Sequence, residues 1–505
     1  MIDLNLDGSP LTTADVEAVA HGRATARLAP DARARLSARR GVLEEMLGDG
    51  EAHYGVNTGF GSLARTRIAS DRLRDLQRNL VRSHSAGTGA RLPADTVRAT
   101  MLLLAASLAR GASGVRPEVV ELILACLAHG ITPVVPSIGS VGASGDLAPL
   151  AAIARVLIGE GEVDGGSAAD ALARAGLSPV TLEAKEGLAL INGTHLMAAE
   201  AALLLEEWDA LWPAALGACA MAIDAVRATD AFLDPRVHAL RGQPGQAEVA
   251  ACLRDWLAGT EIVESHRVDD SRVQDPYSYR CAPVVLGAAL DAVAYVRAAV
   301  ERELGAVTDN PLLVDAEGDL PRALVSAGNF HGMPIALPLD VFAMALTHVA
   351  GIAQQRVFFL LSARDRESGL PPYLSPSPGL NSGLMVAQYT AAACCNELAG
   401  LSMPASVINV PTSAGIEDYN SFGPRAAAKA RRALSLTRTV VAIELLCSSQ
   451  AIESHRPLHT GRRVEAAIAR IRQVVAPLQG DRPLTADIEA IIGLIEDGAF
   501  AAPDR

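Results

Sequence analysis

The chain lacks an excess of positive charge. Its 44 Lys and Arg residues are outnumbered by 57 Asp and Glu, so the formal net charge of the 505 residues is −13 at pH 7. No dense stripe of Lys and Arg interrupts this acidic balance. Since nucleic-acid-binding proteins need a basic patch to neutralise phosphates, the sequence argues against a nucleic-acid partner.

Cysteine is also scarce. Seven cysteines stand at positions 126, 219, 252, 281, 394, 395 and 447. Their spacing matches no metal site and no disulfide framework, and their number is odd. We therefore expect neither a bound metal nor a set of disulfides.

A leader peptide and long apolar runs are missing as well. The N-terminus MIDLNLDGSPLTTADVEAVA is acidic and has no basic segment followed by an apolar one. The longest apolar runs, such as residues 213–223, are too short to cross a bilayer. The sequence predicts a cytoplasmic protein without membrane contact.

Helix-forming residues are abundant. Hydrophobic residues make up 50% of the chain, and alanine, the best helix former, is frequent among them. Helical apolar spacing runs through residues 97–110, 195–232, 281–304, 335–363, 385–402 and 426–452. Several of these segments exceed 25 residues, which favours a bundle of long helices. Only TPVVPSIGSV and ALVSAGNF suggest short strands or extended loops.

The predicted fold is therefore mainly α, with a long central helix bundle and a smaller, mixed N-terminal region. A chain of this length exceeds the size at which one core stops growing. We expect an N-terminal region over 1–198 and a central and C-terminal helical bundle over 199–505.

Four small residues, Gly142-Ala143-Ser144-Gly145, directly precede a predicted helix. Asp146 suits the N-cap of that helix, so the small residues lie at the positive end of its dipole. A serine hydrolase would need the pattern G-x-S-x-G, and Asp146 stands in the place of the last glycine. Two interpretations remain, a tight packing turn or a backbone that undergoes chemistry.

Six further loops rich in Gly and polar residues decide between them. They are HYGVNTGFGS (53–62), LQRNLVRSHSAGTG (76–89), KEGLALINGTH (185–195), RVQDPYSYRC (272–281), SAGNFHGMP (326–334) and PTSAGIEDYNSFGP (411–424). Together with GASGDLAPL, these segments resemble the aromatic amino acid ammonia-lyases, and among them the histidine lyases most closely. The resemblance runs from about residue 10 to DRPLTADIEAI near the C-terminus.

This resemblance implies that Ala143, Ser144 and Gly145 cyclise, with loss of two waters, to 4-methylidene-imidazol-5-one (MIO), so no external cofactor is needed. In that reaction the Gly145 nitrogen attacks the Ala143 carbonyl, which requires a bent backbone without a side chain. Ser144 loses its hydroxyl and becomes the methylidene. A non-catalytic helical scaffold would have no reason to keep these residues, and its mass would be the full encoded value.

The resemblance also implies the remaining roles. The catalytic set is completed by Tyr54, which removes the β-proton, together with Asn192 and Tyr277. Arg280 would clamp the substrate carboxylate through its planar fork. Gln274 and Phe330 match other binding residues. Each also has a plain interpretation, because Tyr54 and Phe330 could be packing residues, Asn192 a turn residue and Arg280 a solvated cation.

Substrate choice depends on Ser83, His84 and Glu417. In the family a Ser-His pair marks histidine lyases, whereas His-Leu or Phe-Leu marks tyrosine or phenylalanine, and the glutamate can hydrogen-bond an imidazole. We therefore expect L-histidine to be converted into trans-urocanate. The alternative is a lyase or a 2,3-aminomutase that acts on another aromatic amino acid, such as tyrosine or phenylalanine.

The sequence departs from the histidine lyases at several positions that typically hold amides. These positions are Ile138, His195, Val284, Gly305, Gly415 and Ile416, and Tyr279 stands where Leu is typical. We expect these departures to lie near the site, where they indicate either a repacked pocket or a changed substrate.

The resemblance finally implies a homotetramer whose active sites each take residues from three chains. Long alanine-rich helices agree with this, because they need partners to bury a wide apolar face.

Overall fold

Helices dominate the computed structural model, which describes residues 2–48, 51–268, 270 and 272–501. The helices are α1 (Thr13–Ala20), α2 (Pro30–Leu47), α3 (Leu73–His84), α4 (Ala94–Ala109), α5 (Pro117–Ala128), α6 (Leu147–Leu157), α7 (Ala168–Arg174), α8 (Glu186–Ile191), α9 (His195–Ala225), α10 (Pro235–Arg241), α11 (Pro244–Trp256), α12 (Glu261–Glu264), α13 (Tyr277–Arg280), α14 (Ala282–Glu303), α15 (Met333–Ser362), α16 (Met385–Leu401), α17 (Gly423–Ile452), α18 (Arg462–Val474) and α19 (Thr485–Glu496). With a helical share of 59%, the prediction of a mainly α fold is confirmed.

The long helices follow the apolar periodicity of the sequence. Helices α4, α14, α15, α16 and α17 match predicted segments to within a few residues. Helix α9 is shorter than predicted, because it ends at Ala225 rather than near residue 232. Arg227 takes a left-handed φ of 55°, and the N–H of Ala228 turns back to the Ile223 carbonyl, which terminates the helix.

Eight short strands form four two-stranded sheets within the described residues. The strands are β1 (Ile2–Leu6), β2 (Ala24–Leu28), β3 (Thr88–Arg91), β4 (Pro136–Ile138), β5 (Glu162–Val163), β6 (Gly166–Ser167), β7 (Leu312–Val314) and β8 (Ala323–Val325). Strands β1 and β2 are parallel, with Ile2 opposite Ala24 and Leu6 opposite Leu28. The other three pairs are antiparallel. Strands β4 and β8 lie in the two segments for which the sequence suggested extended structure.

The chain divides into two compact units. Unit 1 contains Met1–Glu206, Arg297–Leu339 and Pro404–Ala428, and unit 2 contains Glu207–Val296, Asp340–Met403 and Lys429–Arg505. All eight strands belong to unit 1. Both units are discontinuous in sequence, so a single boundary at residue 198 does not describe them, and that division remains a prediction about domains.

Three helices of unit 1 bring their ends together. Helices α3, α6 and α8 contact one another, and the contact between α3 and α8 is close, since a Cβ on Gly187 would lie 2.7 Å from the carbonyl oxygen of Gln77. Gln77 is fully buried; its side chain accepts the N–H of Leu188 at 3.1 Å and donates to the Gly55 carbonyl at 3.3 Å. Residues at the C-terminus of α3, the N-terminus of α6 and the C-terminus of α8 line one cavity, which is described below.

Two helices are long and apolar enough to cross a membrane by length and composition alone. They are Ala282–Glu303 and Met333–Ser362. In the most apolar stretch of each helix, 44% and 61% of the residues, respectively, are buried inside the protein. The expectation that no segment is long enough is therefore wrong. Polar residues such as Asp291 and Asp340 interrupt each apolar run, but a helix continues through them. A core helix passes the same test, so these two helices are weak evidence for a membrane.

Candidate active site

Seven of the residues singled out in the sequence line one cavity of about 990 Å³ in unit 1. They are Tyr54, Ser83, His84, Ser144, Asn192, Phe330 and Glu417. Ala143 is buried beside Ser144, and Gly145 follows it in the same loop. Tertiary structure thus brings together residues that lie up to 363 positions apart in the sequence.

The loop before α6 is a tight turn held on both sides by backbone hydrogen bonds. The N–H of Gly145 points to the Gly142 carbonyl at 3.3 Å, and Ser144 takes a left-handed φ of 52°. Gly193 clamps the turn, because its N–H donates to the Ser144 carbonyl at 3.1 Å and its carbonyl accepts the N–H of Asp146 at 2.7 Å. A Cβ on Gly145 would lie 2.0 Å from the Gly193 oxygen, so only glycine fits there.

Asp146 caps a different helix from the one expected. It occupies the N-cap position of α6, but its side chain makes no hydrogen bond to that helix. Its Oδ2 atom instead accepts the N–H groups of Leu196 and Met197, at 2.9 and 3.1 Å, in the first turn of α9. Burial raises the pKa of the Asp146 carboxyl to about 7. Asp146 therefore fastens the loop to the start of α9.

His195 lies behind the clamp. A Cβ on Gly193 would come within 2.4 Å of the His195 Cε1 atom and 2.8 Å of the Thr308 hydroxyl. Both ring nitrogens of His195 are buried without a hydrogen-bond partner among the described residues. Burial lowers the pKa of His195 to about 4, so the ring is neutral at pH 7.

Asn192 reaches the cavity from the C-terminus of α8 with its amide orientation fixed. Its Nδ2 atom donates to the Asn310 carbonyl at 2.8 Å and approaches Asp309 Oδ1 at 3.4 Å. Asp309 in turn forms a buried ion pair with Lys185, with 2.5 Å between Nζ and Oδ2, and burial lowers the pKa of the Lys185 ammonium. The Asn192 Oδ1 atom is buried and has no partner among the described residues, so a residue that lines the cavity keeps one unused hydrogen-bond acceptor.

The segment Asp309-Asn310 was not singled out in the sequence. The Asn310 side chain accepts the N–H of Ala327 at 2.7 Å and donates to Ser326 at 3.3 Å, so it ties the loop before Phe330 to Asn192. Asn310 also lines the cavity. The only sequence signal is a polar Asp-Asn pair before a proline, which usually reads as a turn.

Tyr54 presents its hydroxyl oxygen to a backbone donor. The N–H of Gly61 donates to the Tyr54 oxygen at 3.2 Å. Gly61 adopts a left-handed φ of 51°, and a Cβ there would lie 2.4 Å from the Ser413 hydroxyl.

His84 and Glu417 both offer acceptors. The His84 Nδ1 atom lies 2.9 Å from the Leu80 carbonyl, and because that oxygen can only accept, Nδ1 carries the proton and Nε2 a lone pair. Burial lowers the pKa of His84, which keeps the ring neutral. Ser83 does not turn a free hydroxyl to the cavity, since it donates to the Leu80 carbonyl at 3.1 Å. The Glu417 Oε2 atom accepts the Thr412 hydroxyl at 2.7 Å.

The other three site residues form a separate cluster in unit 2 and do not line this cavity. The Arg280 Nη2 atom donates to Gln274 Oε1 at 2.8 Å, and the guanidinium carbon lies 4.6 Å from the centre of the Tyr277 ring. The Arg280 Nε atom donates to the Asp275 carbonyl at 2.9 Å. Tyr277 is 70% exposed, so the cluster is open to solvent in a single chain.

The departures from the histidine-lyase pattern are more scattered than expected. Only Ile416 among them lines the cavity, while Gly415 precedes it and His195 lies behind Gly193. The structure does not bring Ile138, Val284 or Gly305 to the cavity. Tyr279 is fully buried in unit 2, and its hydroxyl has no partner among the described residues.

A groove of about 1020 Å³ in unit 2 contains none of the site residues. Its arginines are engaged, since Arg236 pairs with Asp234, Arg267 with Asp230 and Glu264, and Arg254 donates to a backbone carbonyl. The cavity in unit 1 is the better candidate despite its similar size, because seven of the predicted site residues line it.

Comparison with known proteins identifies the family of the chain. The sequence matches the aromatic amino acid lyase family over residues 11–473. A histidine ammonia-lyase of Anaeromyxobacter dehalogenans (strain 2CP-C) is 50% identical over 512 residues, which cover 99% of this chain and 100% of that protein.

Solved structures are similar over almost the whole chain. Histidine ammonia-lyase from Trypanosoma cruzi has a TM-score of 0.89 at 36% identity and covers 99% of this chain and 94% of its own. Tyrosine aminomutase from Streptomyces globisporus has a TM-score of 0.90 at 33% identity, with coverage of 99% and 98%. The prediction of a carbon–nitrogen lyase is confirmed. The chain belongs to the aromatic amino acid lyase family.

Proposed function

We propose that the protein eliminates ammonia from L-histidine to give trans-urocanate, in the cytoplasm. The observation that carries the proposal is the convergence of Tyr54, Ser144 and Glu417 on one cavity. The 50% identity to a protein named histidine ammonia-lyase supports the choice of substrate.

The family depends on MIO in general, and residues 143–145 fit its formation. Ser144 is left-handed and lines the cavity, and Gly145 packs so tightly on Gly193 that no side chain could be present. The backbone is thus already bent where the Gly145 nitrogen must approach the Ala143 carbonyl. The group supplies an electrophile for the substrate amine, which is otherwise a poor leaving group.

Tyr54 would take the proton from the β-carbon. Loss of this proton and of the amine leaves the carbon–carbon double bond of urocanate. The Gly61 N–H donates to the Tyr54 oxygen and so fixes its position beside the cavity, where it would act as the base. The lone pair of the Asn192 Oδ1 atom suits an N–H of the substrate ammonium rather than its carboxylate.

The substrate ring would meet two acceptors, His84 Nε2 and Glu417. An imidazole N–H can donate to such a group, whereas the ring of phenylalanine has no donor. The phenol of tyrosine offers one donor and is the closer competitor. The acceptors therefore favour histidine, and they disfavour phenylalanine most.

The carboxylate clamp would come from another copy of the chain. Gln274, Tyr277 and Arg280 are assembled by contacts with one another, they are accessible, and they do not line the cavity. A homotetramer in which this cluster reaches a neighbouring cavity gives the substrate carboxylate its cation. Phe330 would pack beside the reacting loop.

The second candidate is an aminomutase reaction, in which ammonia returns at the β-carbon. The structural similarity to tyrosine aminomutase favours it, because the TM-score of 0.90 is as high as the 0.89 for histidine ammonia-lyase. The scattered departures from the histidine-lyase pattern add to it.

The deciding experiment incubates the purified protein separately with L-histidine, L-tyrosine and L-phenylalanine and identifies all products by chromatography and mass spectrometry. We expect urocanate and ammonia from histidine, with weaker but measurable turnover of phenylalanine. A β-amino acid product would support the aminomutase instead. Absence of urocanate would contradict the proposal.

A further inference from the structure

We infer that Thr412 is a positioning residue for ring selectivity, because it holds the Glu417 carboxylate in place for the substrate ring. The inference rests on the proposed function, in which Glu417 accepts an N–H of the imidazole. Thr412 itself is not among the residues that line the cavity, so it would act only through Glu417.

The two residues are joined by three hydrogen bonds. The Thr412 hydroxyl donates to Glu417 Oε2 at 2.7 Å. The Thr412 N–H donates to the Glu417 carbonyl at 2.9 Å, and the Glu417 N–H returns to the Thr412 carbonyl at 3.4 Å. Thr412 thus fixes both the backbone and the side chain of Glu417.

The intervening turn gives this pair its geometry. Ser413, Ala414 and Gly415 have left-handed φ values of 49°, 54° and 87°. A left-handed residue other than glycine costs about 1–2 kcal/mol, so the turn persists only because its surroundings hold it. Asn420 contributes, since its side chain donates to the Val410 carbonyl at 2.7 Å and approaches the Thr412 hydroxyl at 3.4 Å.

The bond to Oε2 decides what the carboxylate offers the ligand. With Oε2 occupied by Thr412, the Glu417 Oε1 atom is free of partners among the described residues and can accept from a ring N–H. Without the hydroxyl, the carboxylate could rotate and would lose a charge-assisted hydrogen bond. A ring with a donor would lose affinity, while a ring without one would not.

A double-mutant cycle tests the inference in the full-length protein. Wild type, Thr412→Val, Glu417→Gln and the double variant are compared by kcat/KM for histidine and phenylalanine. We expect Thr412→Val to lower the value for histidine about tenfold and to leave that for phenylalanine within about twofold. In the Glu417→Gln background the same change should have a smaller effect, because the amide oxygen that can still accept the Thr412 hydroxyl carries no charge. Thr412→Ser, which keeps the hydroxyl, should restore wild-type selectivity.

Thr25→Val is the matched control. The Thr25 hydroxyl donates to Asp3 at 2.6 Å, so this variant loses the same kind of bond far from the cavity. It should not change the ratio of histidine to phenylalanine turnover. Equal losses for both substrates in Thr412→Val, no loss for histidine, or multiplicative effects in the double variant would each overturn the inference. A wild type that makes no urocanate would defeat the proposed function first, and the inference with it.

Discussion

At the residue scale, Ser144 and Tyr54 owe their proposed chemistry to backbone groups of their neighbours. Ser144 lies in a turn whose carbonyl is held by the Gly193 N–H, and Tyr54 points its oxygen at the Gly61 N–H. Neither side chain has an unusual residue type for a loop. What distinguishes them is that both reach the same cavity.

Replacing Ser144 by alanine should abolish the reaction while leaving the fold intact. Alanine has no hydroxyl to eliminate, so the loop cannot lose its second water and the electrophile cannot form. We expect kcat to fall by at least about 10³-fold, of the order of the larger losses seen when one catalytic group is removed. Intact mass should be two waters below the encoded value in wild type, and this loss of two waters should be absent from the variant.

Ser137→Ala provides the comparison for Ser144→Ala. Ser137 lies exposed on β4, seven residues earlier, and its removal should leave the loss of two waters unaffected. Near wild-type turnover by Ser144→Ala would rule out the proposed chemistry.

Removing the Tyr54 hydroxyl should slow the chemical step. Tyr54→Phe keeps the ring and its packing but has no oxygen to take the β-proton. We expect kcat to fall by about 10²–10⁴-fold, with a much smaller change in KM. Steady-state kinetics with histidine measures both, and a defect confined to KM would assign Tyr54 to binding instead.

At the element scale, the short segment after α8 holds the loop of residues 142–146 in place. Gly193 lies between Gly145 on one side and His195 and Thr308 on the other. Asp146 adds a second connection, from the loop to the first turn of α9. The loop is therefore held mainly by contacts with the end of α8 and the start of α9, in addition to the hydrogen bond within it.

A methyl group on Gly193 should disturb this clamp. In Gly193→Ala the Cβ would lie 2.4 Å from His195, at a φ of 125° that L-residues rarely adopt. We expect the free energy of unfolding to fall by about 1–3 kcal/mol and the fraction of protein that loses two waters to decrease. Denaturant unfolding and intact mass measure the two effects.

Gly176→Ala is the control for that experiment, because it introduces backbone strain without a steric clash. Gly176 also has a left-handed φ, of 69°, but no atom lies within 4 Å of its added Cβ. The free energy of unfolding of this control should fall by about 1 kcal/mol. All of its chains should still lose two waters. If the same fraction of both variants lost two waters, the contact between Gly193 and the loop would not be needed for that reaction.

Asp146 should make the stability of the protein fall with rising pH. In an unfolded chain the carboxyl ionises near pH ~3.9, whereas burial raises its pKa to about 7 in the fold. Between these values the folded state binds a proton that the unfolded state has lost, so the free energy of unfolding decreases from about pH 4 to pH 7 and levels off above it.

Asp146→Asn should remove that part of the pH dependence. The amide cannot ionise, but its oxygen can still accept the N–H groups of Leu196 and Met197. We expect the melting temperature of the variant to fall less than that of wild type between about pH 4.5 and pH 7.5, as measured by calorimetry. Parallel profiles would contradict the assignment. Asp224, whose pKa burial also raises to about 7, is unchanged in both proteins.

At the scale of the whole molecule, one chain supplies two separate parts of the proposed site. The cavity lies in unit 1, whereas Gln274, Tyr277 and Arg280 form an exposed cluster in unit 2. A homotetramer that joins the cluster of one copy to the cavity of another predicts complementation between inactive variants.

Co-expression of Ser144→Ala with Arg280→Met should therefore restore activity. Each variant alone lacks one part, but random mixed tetramers combine an intact loop with an intact arginine at about one site in four. We expect about a quarter of wild-type turnover per chain. Ser144→Ala mixed with Tyr54→Phe should recover nothing, because both residues belong to the cavity of one chain. No recovery in the first mixture would place the arginine elsewhere in the reaction.

Local patterns in the sequence determined much of this protein. Apolar spacing located the long helices to within a few residues, because a helix buries one side at a fixed period. The end of α9 was misplaced, since the left-handed Arg227 has no clear sequence signal. The motifs carrying Tyr54, Ser144 and Glu417 were recognisable because their chemistry requires particular residue types close together.

How those residues meet depends on long-range packing. The sequence predicts that Asp146 caps its own helix, α6. In the structure its side chain instead accepts hydrogen bonds from the first turn of α9. The roles of Thr412, Asn310 and the Lys185–Asp309 pair depend on contacts across turns and across more than 100 residues, which no local pattern encodes. Local sequence patterns therefore predicted the long helices and the candidate site residues, whereas long-range packing sets the distances and hydrogen-bond partners of those residues.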